Sequence, residues 1–294
     1  MKIFIAGARG QLGRDCLTVF GRDHEVRGLD LPELDIAEPA SVRVALDAFR
    51  PDVLINAAAF TRVDAAEMDR EAAHRANADG PRVLAEYMEQ AGGRLVHLST
   101  DYVFAGDRPP PAAYTEVDPT GPVSWYGRTK REGELAVQQA APRHLIFRTA
   151  WLYGATGHNF LRAILRAAIR RPGQPLRVVN DQWGSPTWSW RLAEQMKKAL
   201  EGDGQGLYHA TAEGYGTWHQ VAVEWLRLLG LEHEVQAITT AEYPTLARRP
   251  ANSILENARL KAEGLNLMRP WVKDLAEFAR RHGAELMRET ESAK

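Results

Sequence analysis

Tyr126 and Lys130 stand four residues apart in Tyr126-Gly127-Arg128-Thr129-Lys130, a spacing that puts both side chains on one face of a helix. An ammonium so placed favours phenolate, lowers the tyrosine pKa from its usual value of about 10, and lets the residue exchange a proton with a substrate oxygen near neutral pH. Alone, the spacing also describes an exposed helical pair. Its surroundings narrow the reading: Ser99-Thr100-Asp101-Tyr102-Val103-Phe104 brings hydroxyls to the end of one apolar run, and a second apolar run, His144 to Phe147, follows the tyrosine–lysine segment.

A second constellation opens the chain. Gly7-Ala8-Arg9-Gly10-Gln11-Leu12-Gly13 follows a short apolar run directly. Gly7 would permit the tight turn, Gly10 the approach of a pyrophosphate, and Gly13 close packing of helix on sheet. The same glycines also suit an ordinary strand-to-helix turn. Asp30, about 20 residues on, could accept from the adenosine ribose of NAD; Arg9, inside the loop, could pair with the 2′-phosphate of NADP. Asp35-Ile36 is placed to meet the adenine, with Asp35 as a helix-capping acid the alternative. Asn56-Ala57-Ala58-Ala59 offers small side chains over which a flat cofactor could lie, although packing alone would also select alanine. Asn77 could brace the lysine through water or serve as a buried structural amide.

Elements that would position these residues alternate through the first half of the chain. Strands are predicted at Ile3 to Ala6, His24 to Leu29, Val53 to Asn56, Arg94 to Leu98 and His144 to Phe147. Between them lie helices at Gln11 to Phe20, Pro39 to Phe49, Asp64 to Ala78, Pro81 to Gln90 and from about Tyr126. The alternation predicts an α/β fold, a Rossmann-type doubly wound parallel sheet with ligands at the carboxyl ends of its strands. After Trp151 the pattern loosens: a basic helix from Asn159 to Arg171, a strand at Leu176 to Val179, a loop from Asp181 to Thr187, then helices at Trp190 to Leu200, Thr217 to Leu229 and Trp271 to His282. The expected division is residues 1–150 as a dinucleotide-binding domain, with elements near 176–200 returning to it, and residues 151–294 mainly as a smaller, interleaved substrate-binding lobe.

Bulk properties exclude several classes. The 294 residues carry 37 lysines and arginines against 38 aspartates and glutamates, so no global field recruits nucleic acid or an anionic membrane. No segment approaches the roughly 20 apolar residues of a membrane span. The single cysteine, Cys16, reads as a core filler, and the absence of any cysteine pair suits a reducing cytoplasm.

Across nearly its whole length the chain resembles the extended short-chain dehydrogenase/reductase family and, within it, the dTDP-4-dehydrorhamnose reductase branch. The residues that carry the resemblance are the glycine loop, Asn56 to Asp64, Ser99 to Phe104, Tyr126 to Lys130, Arg148-Thr149-Ala150-Trp151-Leu152-Tyr153-Gly154, Asp181 to Thr187 and Tyr243 to Ser253. The resemblance implies Tyr126 as proton donor, Lys130 on the nicotinamide ribose, and Thr100 on the reacting oxygen. Asp101 and Trp151 would line the sugar site, and Gln11, Leu12, Asp35, Ile36, Ala58, Ala59 and Phe60 would touch NADPH or NADH. It further implies reduction of dTDP-4-dehydro-6-deoxy-L-mannose to dTDP-L-rhamnose, with a homodimer as the expected assembly. Arg248 or Arg249 could pair with the substrate diphosphate or form a structural ion pair. Phe60 replaces the branch's usual tyrosine, Ala150 its serine, and Gly216-Thr217-Trp218-His219 is an unusual version of its segment.

Competing readings are a nucleotide-sugar epimerase or dehydratase that retains its cofactor, and a non-catalytic regulatory subunit akin to the partner of methionine adenosyltransferase. No metal site is assigned, because the histidines lack ligand spacing and no acidic cluster places the magnesium that some members use. Arg162, Arg166, Arg170 and Arg171 form a basic stripe read as a solvated face or a nucleotide or subunit contact.

Overall fold

Six strands, β1 (Lys2–Ala6), β2 (Glu25–Leu29), β3 (Val53–Asn56), β4 (Arg94–Thr100), β5 (His144–Thr149) and β6 (Gly206–His209), form one sheet in the computed structural model, which describes residues 1–292. Their order is β6-β5-β4-β3-β1-β2, and every neighbouring pair is parallel. Both faces are covered because strand side chains alternate. Ile3 and Ile5 enter one core with Leu12, Cys16, Phe20, Leu192 and Met196, whereas Phe4 and Leu54 enter the other with Leu46, Leu84, Met88 and Ile146. The chain turns from β1 to β2 on one side and then places β3 on the other, so a crevice opens between the ends of β1 and β3.

Helices α1 (Gln11–Phe20), α2 (Pro39–Asp47), α3 (Gly80–Gln90) and α4 (Trp125–Ala140) connect these strands. The single helix expected over Asp64 to Ala78 is broken into Val63–Met68, Arg70–His74 and a π turn at Arg75–Asp79. Asp69 marks the break, its side chain accepting from Ala72 N to start the second piece.

The returning stretch near 176–200 is split. Leu176–Val179 pairs in parallel with Val235–Ile238, outside the main sheet, while α6 (Ser189–Glu201) packs on α1 and is followed by β6, the strand the sequence reading did not anticipate. Helices α5 (Phe160–Arg170), α7 (Trp218–Leu228) and α8 (Trp271–Ser292) enclose a separate core of Trp188, Trp225 and Phe278. The indole of Trp225 donates to Leu161 O at 3.0 Å, which locks α7 to α5.

Candidate active site

Helix α4 starts where Ser124 Oγ accepts from Gly127 N at 3.2 Å, and Tyr126 falls in its first turn. A Cβ on Gly127 would lie 2.2 Å from Tyr102 O, so only glycine lets the helix sit this close to the end of β4. The Thr100 hydroxyl faces the Tyr126 phenol, and the Tyr102 ring meets the Tyr126 ring edge-on with centroids 5.6 Å apart. Lys130 is 3% exposed and donates from Nζ to Leu98 O at 2.6 Å.

The expected lowering of the tyrosine pKa is corrected by this arrangement. Burial pushes the Tyr126 phenol up to about 12, outweighing the opposing pull of Thr100, while the lysine ammonium is engaged by Leu98 O. Tyr126 is therefore fully protonated at neutral pH, the state a proton donor requires. Burial in turn lowers Lys130 to about 8, against the charge of Glu134.

Asn77 braces this centre directly. Its Oδ1 accepts from Phe60 N at 2.8 Å, and its Nδ2 donates to Phe60 O at 3.0 Å and Thr129 Oγ1 at 3.1 Å. The residue beside Lys130 is thereby tied to the loop after β3. Asp101 is 2% exposed, accepts at Oδ1 from Thr100 Oγ1 at 2.9 Å, and is raised to about 6 chiefly by burial. Ser253 faces this carboxylate, yet Oδ2 has no hydrogen-bond partner of good geometry among the described residues.

The glycine loop forms a cradle at the crevice. Gly7 adopts φ +79°, and a Cβ there would stand 2.5 Å from Ala58 N; a Cβ on Gly13 would stand 2.1 Å from Gly7 O. Gly10 precedes α1 with no side-chain cap, which leaves the first-turn N–H groups of α1 free for an anion. Ala57 N donates to Ala6 O and Ala58 N to Asn56 Oδ1, so the alanine run lies against β1. Leu12 packs into the core beneath the loop, and Gln11 Oε1 accepts from Asn159 Nδ2 at 2.9 Å. Donor-rich backbone, a cradle that side chains would fill and a protonated phenol nearby fit a nicotinamide dinucleotide.

The conflicting cues at the adenosine end meet in one cluster. Asp30 accepts from Arg9 N at 3.0 Å and Leu31 N at 2.9 Å, and the Arg9 guanidinium pairs with Glu33 and donates to Leu31 O. Asp35 accepts from Ala37 N at 3.0 Å and pairs with Arg75 at 2.8 Å, while Ile36 is buried against Gly80. Ala59 and Phe60 are half-buried, with the Arg62 guanidinium 5.1 Å from the Phe60 ring centroid.

On the other side of the crevice, Trp151 adopts φ 48° and stacks on Trp218 with centroids 3.5 Å apart and planes 8° from parallel. A Cβ on Gly184 would lie 2.4 Å from the Trp151 indole. Beyond Trp218 opens a cavity of about 600 Å³ lined by Phe160, Ile164, Val178, Gln182 and Arg249, with Arg171 of the basic stripe also on its wall. Arg249 pairs with Asp64 through both carboxylate oxygens, at 2.7 and 3.2 Å, whereas Arg248 is exposed. Asn159 and Glu134 are site-forming residues the sequence reading missed. Only Asn159 carried a local signal, an asparagine before an apolar-periodic helix, and it caps α5 by accepting from Arg162 N.

Among the described residues no group of three or more His, Cys, Asp or Glu could hold a metal ion, and no helix is long and apolar enough to cross a membrane.

Residues 1–283 match the family model described as the RmlD substrate binding domain. A dTDP-4-dehydrorhamnose reductase of Burkholderia thailandensis is 39% identical over 278 residues, covering 89% of this chain and 92% of the relative. A Streptomyces antibioticus protein named "Probable dTDP-4,6-dihydroxy-2-methyloxan-3-one 4-ketoreductase" is 43% identical over 281 residues, covering 94% of each. Among solved structures, a dTDP-4-dehydrorhamnose reductase of Bacillus anthracis in complex with NADP superposes with a TM-score of 0.92 at 33% identity, covering 95% of this chain and 99% of that one.

Proposed function

The chain belongs to the RmlD substrate binding domain family, and from that premise we propose that it is an NAD(P)H-dependent oxidoreductase that reduces the 4-keto group of dTDP-4-dehydro-6-deoxy-L-mannose to give dTDP-L-rhamnose. The observation that carries the proposal is a buried, protonated phenol facing a threonine hydroxyl at the end of β4, beside a glycine cradle that only a backbone-hugging ligand would fill.

Gly7, Gly10, Gly13, Gln11, Ala57, Ala58, Ala59 and Phe60 would hold the dinucleotide, with Leu12 supporting the loop from below and Asp30, Asp35 and Ile36 bounding its adenosine end. Bound there, a reduced nicotinamide would supply hydride for the carbonyl carbon. Tyr126 delivers its proton to the carbonyl oxygen as negative charge develops, and the Thr100 hydroxyl stabilises that oxygen. Lys130 would meet the nicotinamide ribose as a cation and would favour the phenolate left behind. Asp101 and Trp151 line the sugar. The apolar cavity beyond Trp218 suits the nucleotide half of the substrate, with Arg249 at the diphosphate and Asp64 fixing its guanidinium. Remote binding of this kind orients the ketone for attack.

The proposed division of labour assigns residues 1–150 to the dinucleotide and mainly residues 151–294 to the sugar nucleotide. Both NADPH and NADH are accepted, since Asp30 and Arg9 each offer a ribose-end contact. A cytoplasmic homodimer is the proposed state, and light scattering on the purified protein reads the assembly directly. The relatives from Streptomyces antibioticus and Streptomyces niveus are named for other 4-keto sugars, so the sugar is tested by supplying epimeric dTDP-4-keto-6-deoxyhexoses in parallel. Product analysis by NMR should find dTDP-L-rhamnose; preferred turnover of the D-gluco series would overturn that choice of sugar.

A further inference from the structure

The end of β4 is gripped by three residues of α4 spaced four apart. Tyr126 meets the Thr100 hydroxyl, Lys130 Nζ donates to Leu98 O at 2.6 Å, and Glu134 Oε1 accepts from Ser99 Oγ at 2.5 Å. Three neighbouring strand residues thus answer three successive turns of one helix face.

The third contact has no part in the chemistry described so far, yet it is the most heavily built. Glu134 has no exposed surface, and Arg148, 2% exposed, holds it through Nε and Nη2 at 2.8 Å each. Arg131 Nη1 adds a further bond at 2.8 Å. Arg148 lies on β5 directly opposite Ser99 in the sheet register, so a single carboxylate joins the helix to both members of a cross-strand pair. The Arg148 guanidinium also lies over the Phe104 ring, at the end of the segment that carries Thr100 and Asp101. Buried ion pairs contribute little net stability compared with apolar residues of the same volume, so such a pair at this point calls for another reason.

We propose that Glu134 is a positioning residue of the active centre: by tying Ser99 and Arg148 to α4 it fixes Thr100 against Tyr126 and presents a negative charge to Lys130. The inference rests on the reductase reading of the same site. Groups facing Lys130 fit the assignment. His97, on β4, is kept neutral because burial holds its pKa well below the ordinary value; Asn77 and Thr129 are uncharged; Asp101 is engaged by Thr100; and the charge of Arg148 is matched by Glu134 itself. Glu134 opposes the burial that lowers Lys130, so its removal should let Lys130 lose its proton at lower pH.

The test uses the full chain with E134Q, which removes the charge, and S99A, which removes the strand link and keeps the charge. Steady-state rates from about pH 6 to 9.5 are read beside NADPH affinity by nicotinamide fluorescence at about pH 7 and 9. For E134Q, kcat should fall about tenfold with the sugar-nucleotide KM within about threefold, and the basic limb of the profile should move to lower pH by about half a unit or more. NADPH binding should weaken at the higher pH more than in wild type. For S99A, kcat should fall about threefold with no movement of that limb. An E134Q profile and kcat that match wild type would overturn the proposal. Should E134Q fail to fold, an S99A kcat equal to wild type would do the same. A wild type that binds NADPH but reduces no keto sugar would reject the reductase reading instead, and the pH dependence of NADPH affinity in E134Q would still decide whether Glu134 supports Lys130.

Discussion

Replacing Lys130 by methionine should abolish reduction and also change how stability depends on pH. The side chain is 3% exposed, and burial draws its pKa from the ordinary 10.5 to about 8. At roughly 1.4 kcal/mol per pH unit, keeping that charge in the folded protein costs about 3 kcal/mol at neutral pH. Methionine removes this cost but leaves Leu98 O without its 2.6 Å donor, a loss of about 1–3 kcal/mol. The two effects nearly cancel at pH 7, and the melting temperatures should agree within a few degrees. Between pH 8 and 10.5 the unfolded chain still carries a proton on this lysine that the folded chain has released, so the wild type gains stability as pH rises and the variant does not. Urea unfolding at intervals from about pH 7 to 10 should therefore show the variant falling behind the wild type by about 2–3 kcal/mol across that range. Other groups titrate alike in both proteins and drop out of the difference. A difference that stays flat with pH would refute the assignment of a buried, charged lysine.

Gly13→Ala would bring a Cβ to 2.1 Å from Gly7 O and 2.8 Å from Ala8 Cα, so α1 must move off the loop. The melting temperature should drop by several degrees, a cost of about 2 kcal/mol, and NADPH affinity should weaken; a melt equal to wild type would contradict the close packing. Asp101→Asn tests a carboxyl raised to about 6 from the ordinary 3.8. Since the folded protein holds a proton there that the unfolded chain lacks, wild-type stability falls as pH rises through this window, and the variant should gain on the wild type between pH 4 and 7. Thermal melts at those two values check the sign. Trp218→Ala removes the ring stacked on Trp151, whose backbone is held in the left-handed region. The sugar-nucleotide KM should rise about tenfold while NADPH affinity stays unchanged.

The parts of this site that were legible in the sequence are those in which one residue type at one spacing has a steric or chemical reason. Glycines between a strand and a helix, and a tyrosine and lysine four apart, mark their own places on the fold. Contacts between distant segments left no such mark. Asp35 reads equally as an adenine contact or a cap, and its carboxylate in fact holds Ala37 N and Arg75. Glu134 looks like any helical glutamate until Arg148, on another strand, is brought opposite it. Strand β6 is four residues long, begins at a glycine with φ +81° and ends in a histidine, and so shows neither an alternating nor a continuous apolar run. The Tyr126 pKa went the other way from expectation because burial, which depends on the whole fold, outweighs the pull of Thr100, while the Lys130 ammonium is engaged by Leu98 O.

The central claim is that Tyr126 donates the proton in reduction of a nucleotide-linked 4-keto sugar. Loss of NADPH absorbance on mixing the purified protein with enzymatically generated dTDP-4-dehydro-6-deoxy-L-mannose, compared with Tyr126→Phe, tests it most directly. Rapid oxidation by the wild type and a fall of about a hundredfold or more in the variant, with NADPH affinity retained, is the predicted result. A variant that oxidises NADPH as fast as the wild type would contradict the account.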